Sequence, residues 1–209
     1  MELEEKIKKA LEELRKEKPR KFDQTVELII NLQKFDHRKT PLNFFIRLPH
    51  KIKEKKIAAF LETKNKKVDT ITPSEFKNYS EKKEAKKLVK KYDFFISQAN
   101  LMPKIATVFG RVLGPQGKMP SPQLGILTIV NDKEIEELKE KINHTLRIKV
   151  KEASIKMGVG KQSMKDSELI ENIITAYNEV LKNLPRGKEN VKNLKIKFTM
   201  TKPQKISIR

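Results

Sequence analysis

The chain has 209 residues, no cysteine and no tryptophan. Without cysteine there are no disulfides, thiolate zinc sites or thiol nucleophiles, a composition that suits a reducing cytoplasm. Histidine occurs only three times, as His37, His50 and His144, and none lies near another or within a tight acidic group. Neither a metal site nor a histidine-based acid–base system has material here, and no cofactor or metal is expected. Aromatic residues are only 6 % of the chain, which argues against an aromatic base-stacking platform. No run of about 18 apolar residues exists, so no membrane partner is expected. The N-terminus, charged at helical spacing, has no signal-peptide core.

Cationic charge is abundant. Lys and Arg number 47 against 27 Asp and Glu, a formal charge of +20. A field of that sign gathers polyanions, and nucleic acid is the first candidate because bound phosphates release their counterions. The charge is uneven. Residues 1–18 are neutral, with six residues of each sign, whereas the final 25 residues hold eight basic groups and one acidic.

Hydrophobic periodicity divides the chain. Residues 1–18 predict an amphipathic helix with Leu3, Ile7, Ala10, Leu11 and Leu14 on one stripe. Residues 22–33 alternate, with Phe22, Val26, Leu28, Ile30 and Leu32 at even positions, and predict a half-buried strand. Residues 43–48 predict a second strand and 48–56 a lysine-rich connector. The middle of the chain changes style. Short apolar runs at 57–62, 68–72, 93–98 and 125–130 alternate with helical patterns at 80–92, 101–113 and 131–143, which implies a largely parallel sheet in an α/β layer. Near the end, 147–159 predicts two strands, 166–184 a helix, and 194–201 a strand with Leu194, Ile196 and Phe198 on one face. Neither end of the chain holds a complete sheet. We expect residues 1–52 and 145–209 to form one split α+β domain with an antiparallel sheet and helices. Residues 53–144 would be an inserted α/β, Rossmann-like three-layer domain, swinging about 49–56 and 144–147.

GPQGKMPSPQLG (114–125) superficially resembles a phosphate loop. Val112 stands where the Walker pattern needs glycine, Met119 stands where it needs Ser or Thr, and Pro115 removes a backbone donor. Nucleotide hydrolysis is therefore not expected, and the chain reads as no enzyme. An ordered loop presenting Arg111 and Lys118 to an RNA backbone is the alternative to a plain connector. The last strand is more suggestive. Lys195, Lys197 and Thr199 face outward, followed by Met200 and Thr201, and Phe22 and Thr25 are expected beside them. Lysines suit phosphates, and threonine hydroxyls suit ribose 2′-hydroxyls on folded RNA. No DNA-reading motif is present.

KFDQTVELIINL, RLPH, GRVLGPQGKMPSP and LPRGKENVKNLKIKFTM, in that order across residues 19–201, resemble the large-subunit ribosomal protein L-one family, in wording closer to its archaeal members. The resemblance implies the same two-domain fold and a structural role in the ribosome of the cytoplasm. The partners it implies are large-subunit ribosomal RNA, deacylated tRNA leaving the exit site beside a mobile stalk, and the protein's own messenger RNA as a repressor target. The chain would sit as a monomer within the subunit. By position, the family's RNA contacts fall on Phe22, Thr25, Thr199 and Met200, with Lys21 and Lys161 at basic positions. Thr201 stands where the family usually has glycine, which would permit positive φ and close backbone approach.

Overall fold

Strand β1 (Thr25–Leu32) joins the two ends of the chain. The computed structural model describes residues 2–18, 20–79, 81–127 and 131–207. In β1 the even residues Val26, Leu28, Ile30 and Leu32 are buried, and the odd ones face partly outward. It is paired antiparallel on one side with β8 (Ser154–Lys161) and on the other with β9 (Val191–Phe198). A short strand, β10 (Gln204–Ile206), adds to β9, giving the order β10-β9-β1-β8. A one-faced sheet needs a cover. Two helices supply it: α1 (Glu2–Arg15) through Ile7, Ala10, Leu11 and Leu14, and α5 (Asp166–Asn183) through Leu169, Ile173, Ala176 and Tyr177. Each such side chain removed from water stabilises the fold by about 1.5–3 kcal/mol before entropy is counted. An antiparallel pair, β2 (Asn43–Arg47) with β7 (Thr145–Lys149), adds Ile46 and Ile148 to the same core, and Leu48 just after β2 joins them.

The second body is built differently. Strands β3 (Ile57–Phe60), β4 (Asp69–Ile71), β5 (Phe94–Gln98) and β6 (Ile126–Leu127) are all parallel, in the order β4-β3-β5-β6. Every residue of β3 is buried. Ala58 and Phe60 join one core with α2 (Lys82–Lys91) and α3 (Met102–Gln116), while Ile57 and Ala59 join another with α4 (Asp132–His144). Phe60 anchors the first of these, its ring 5.5 Å from that of Phe95 and 5.1 Å from that of Phe109. The chain divides into two compact units, Met1–Lys53 with His144–Arg209, and Glu54–Asn143.

Several local expectations are corrected. The first strand starts at Thr25, not residue 22, and Phe22 is exposed rather than on the inward face. The last long strand stops at Phe198, so Thr199 and Met200 lie in a turn. Helix α3 continues to Gln116, through the Gly114–Pro115 pair expected to be loop. Its stop is Gly117 at φ 68°, with Gly117 N–H on the Gly114 carbonyl and Lys118 N–H on that of Leu113. That left-handed residue and the long backward bond form a Schellman-type end. Pro115 is tolerated in the final turn because only one donor, toward Arg111, is lost there. The expected strand 125–130 is described only as far as Leu127, and residues 128–130 lie outside the described residues. At 144–147, α4 ends at His144 and β7 begins at Thr145.

Candidate nucleic-acid interface

At one end of the β8-β1-β9 sheet, three chain segments far apart in sequence are tied together. Thr25 N–H donates to Thr199 Oγ1 at 3.0 Å, and the Thr199 hydroxyl lies 3.4 Å from the Thr25 carbonyl. Met200 N–H donates to Gln24 Oε1 at 3.0 Å. The turn after β9 is closed by Thr201, whose N–H donates to the Phe198 carbonyl and whose Oγ1 accepts from Phe198 N–H at 2.9 Å. Among the described residues only Lys34 combines a side chain with positive φ, so Thr201 needs no glycine-like backbone. Its hydroxyl supplies the tie instead.

The third segment is the end of β8 and the loop after it. Lys161 Nζ donates to Thr25 Oγ1 at 3.0 Å and to the Asp23 carbonyl at 3.3 Å. Gln162 N–H donates to the Gln24 carbonyl, and the two glutamine side chains meet at 3.2 Å. The Asp23 carboxylate accepts from Ser163 N–H and its hydroxyl. Arg15 fixes this loop from α1, donating to Asp166 at 2.7 Å and to the Gln162 and Met164 carbonyls. A charged donor spread over three acceptors holds the loop more firmly than a neutral one would.

Phe22 and Met200 are the large hydrophobic residues left exposed among the described residues, at 52 % and 56 %. Single exposed apolar side chains are ordinary. These two are linked, since Phe22 lies two residues before Gln24, whose side chain holds the Met200 amide. Met200 follows Thr199 directly, and Phe22 precedes Thr25 by three residues, the two threonines being hydrogen-bonded to each other. Lys21 is exposed beside Phe22. Along the outward face run Lys195 and Lys197, with Lys197 only loosely paired with Glu27 at 4.0 Å. Gly158 keeps that face open at Thr25, because a Cβ there would come within 3.0 Å of Thr25 Cγ2.

The structure thus ties together Thr25, Lys161, Thr199, Met200 and Thr201, with Phe22 exposed three residues before Thr25. The sequence reading missed Asp23, Gln24, Gln162 and Ser163, which do the tying. One signal was present: Gln24, 2 % exposed, is a polar residue at an even position where the alternation called for an apolar one. The two expected secondary contacts differ from each other. Arg111 is exposed on α3. Lys118 Nζ donates to the Val89 and Tyr92 carbonyls, each at 2.7 Å. Its charge is engaged by the C-terminal carbonyls of α2, where a cation suits the helix dipole, rather than held out to a partner as expected.

The model of the Ribosomal protein L1p/L10e family matches residues 14–202. Among similar proteins is the large ribosomal subunit protein uL1 of Nanoarchaeum equitans, 37 % identical over 94 % of this chain and 95 % of that protein. Those of Thermococcus kodakarensis and Pyrococcus abyssi are 37 % and 36 % identical, each over 94 % of this chain and 94 % and 93 % of their own length. These are archaeal proteins, and their family is structural rather than catalytic. With nearly its whole length matched, the chain belongs to the Ribosomal protein L1p/L10e family.

Proposed function

We propose that this protein is a structural constituent of the large ribosomal subunit that docks on folded ribosomal RNA through the Thr25–Thr199 end of its split unit. The observation that carries this reading is the pair of exposed apolar side chains, Phe22 and Met200, beside a rigid hydroxyl-bearing floor and the cations Lys21 and Lys161. Such a surface suits the open minor groove of RNA, where ribose hydroxyls and phosphates lie together. The names of the similar archaeal proteins support the ribosomal assignment.

In the same reading, residues 1–53 with 144–209 form the RNA-binding domain, and the parallel-sheet unit is an inserted Rossmann-like domain. Movement of a stalk near the exit site, help in releasing deacylated tRNA and repression of the protein's own messenger RNA follow from the family resemblance. Exposed Arg111 is the available secondary contact on the inserted unit.

Binding of a large-subunit ribosomal RNA fragment at fixed salt tests the interface. Phe22→Ala and Met200→Ala should each weaken binding by about 1–3 kcal/mol. Lys21→Ala should lower the salt slope by about one charge. Wild-type affinity in the Phe22→Ala/Met200→Ala double variant would refute the assignment.

A further inference from the structure

The opposite end of the same sheet carries a second feature. A cavity of about 680 Å³ opens where β1 ends and β9 begins. The eight residues of β1 separate it from the Thr25–Thr199 end by about 24 Å at the usual strand rise. Lys34, Lys188, Lys192 and Lys205 line it, against one carboxylate, Glu189. All four lysines are exposed, and none has a carboxylate partner among the described residues. Four unpaired cations around one concavity repel each other, a cost that a bound anion would remove.

The wall is built rather than accidental. Asn190 is 2 % exposed. It accepts from Arg186 N–H and donates to the carbonyls of Gln33 and Lys34. This buried amide staples the turn carrying Lys34, a residue held at φ 52°, to the turn carrying Lys188. A lysine in left-handed conformation is uncommon and is strained unless its surroundings hold it there.

Tyr177, on α5, also lines the cavity. It is 3 % exposed, and its buried hydroxyl has no hydrogen-bond partner. Buried polar groups left without a partner are rare and call for one. Burial pushes the Tyr177 phenol up from its usual range, so it stays a neutral donor. The cavity therefore offers cations beside the ring of Tyr177, and its volume lies in the range of about 300–1,000 Å³ typical of small-molecule sites.

We propose that this cavity is a phosphate-binding site, taking a ligand with several phosphate groups that Lys34, Lys188, Lys192 and Lys205 share. It is separate from the Phe22–Met200 surface and does not depend on that surface's role. Two sources supply such chemistry, a free polyphosphate-bearing molecule and the phosphodiester backbone of an RNA strand.

The full-length protein would be titrated with tripolyphosphate and, separately, with a short oligouridylate, following the ring resonances of Tyr177 by NMR. Those resonances are assigned by their loss in Tyr177→Phe. We expect a saturable shift, with Lys188→Ala/Lys192→Ala weakening binding about tenfold or more. Lys82→Ala/Lys86→Ala, which removes the same charge from the other unit, should bind as wild type. A response to tripolyphosphate alone identifies a small polyphosphate ligand, and a response to oligouridylate identifies an RNA backbone. If neither probe moves Tyr177, or if both double variants bind alike, the proposal is overturned. Ribosomal RNA affinity through Phe22 and Met200 is measured independently, so the two readings fail separately.

Discussion

Strands β1 and β3 are both rich in apolar residues, yet they serve opposite kinds of sheet. In β1 alternate residues are buried, and the remaining row, Thr25, Glu27, Ile29 and Asn31, is only partly covered. In β3 all four residues are buried, two toward each core. The antiparallel sheet therefore has a face to offer a ligand. The parallel sheet spends both faces on packing, so any binding by that unit is confined to its helix surfaces and loops.

The contrast can be broken most forcefully at Phe60. Phe60→Ala should cost about 3–5 kcal/mol by opening a cavity among Phe76, Phe95 and Phe109. Amide exchange should accelerate in β3 and β5, while ribosomal RNA affinity stays at the wild-type level. An equal loss of RNA binding would mean that the two units do not divide the work.

A smaller effect is expected in the split unit at Asn172, which is fully buried. Its side chain accepts from His50 N–H and donates to the carbonyls of His50 and Val159. Asn172→Ala strands these backbone groups and should cost about 1–3 kcal/mol in urea unfolding. Exchange at His50 should rise with it, and protection of β3 should not change.

The smallest effect concerns acid stability of the parallel-sheet unit. Glu75 accepts from Thr72 N–H at 3.0 Å at the start of the 3₁₀ turn Pro73–Tyr79, and Lys64 lies 3.2 Å from it. The Thr72 N–H first, with Lys64 adding to it, holds the Glu75 carboxyl below its usual range. A lowered folded-state value means the contribution is present above the unfolded value and is lost as pH falls through the folded one. Glu75→Gln should flatten the acid limb of a pH–stability profile in this unit. An unchanged acid limb would remove Glu75 from the account.

Much of the secondary structure was legible because its signals are local. The stripe Leu169, Ile170, Ile173, Ile174, Tyr177, Leu181 and Leu184 marks α5 at helical spacing, and the alternation of Val26, Leu28, Ile30 and Leu32 marks β1. The failures have specific causes. Phe22 shares the parity of the buried row, but the strand has not yet begun there, so parity carries no information about its burial. Gly114 and Pro115 look like a stop, yet the chain can stay helical until Gly117 takes left-handed φ. The three-residue β10 was missed because it is stabilised by pairing with β9 and packing against α1, neither of which leaves a pattern in so short a segment.

The candidate site divides the same way. Residue types alone determined that this chain is strongly cationic, lacks thiol chemistry, and carries Lys, Thr, Phe and Met at its two ends. Only tertiary pairing decided that Thr25 and Thr199, 174 positions apart, share hydrogen bonds. It likewise turned Lys118 to the end of α2 and gathered four lysines around Tyr177. The physical reason is range. Periodicity and capping act within a few residues, whereas a cation's partner and an exposed side chain's neighbours are set by which strands lie side by side.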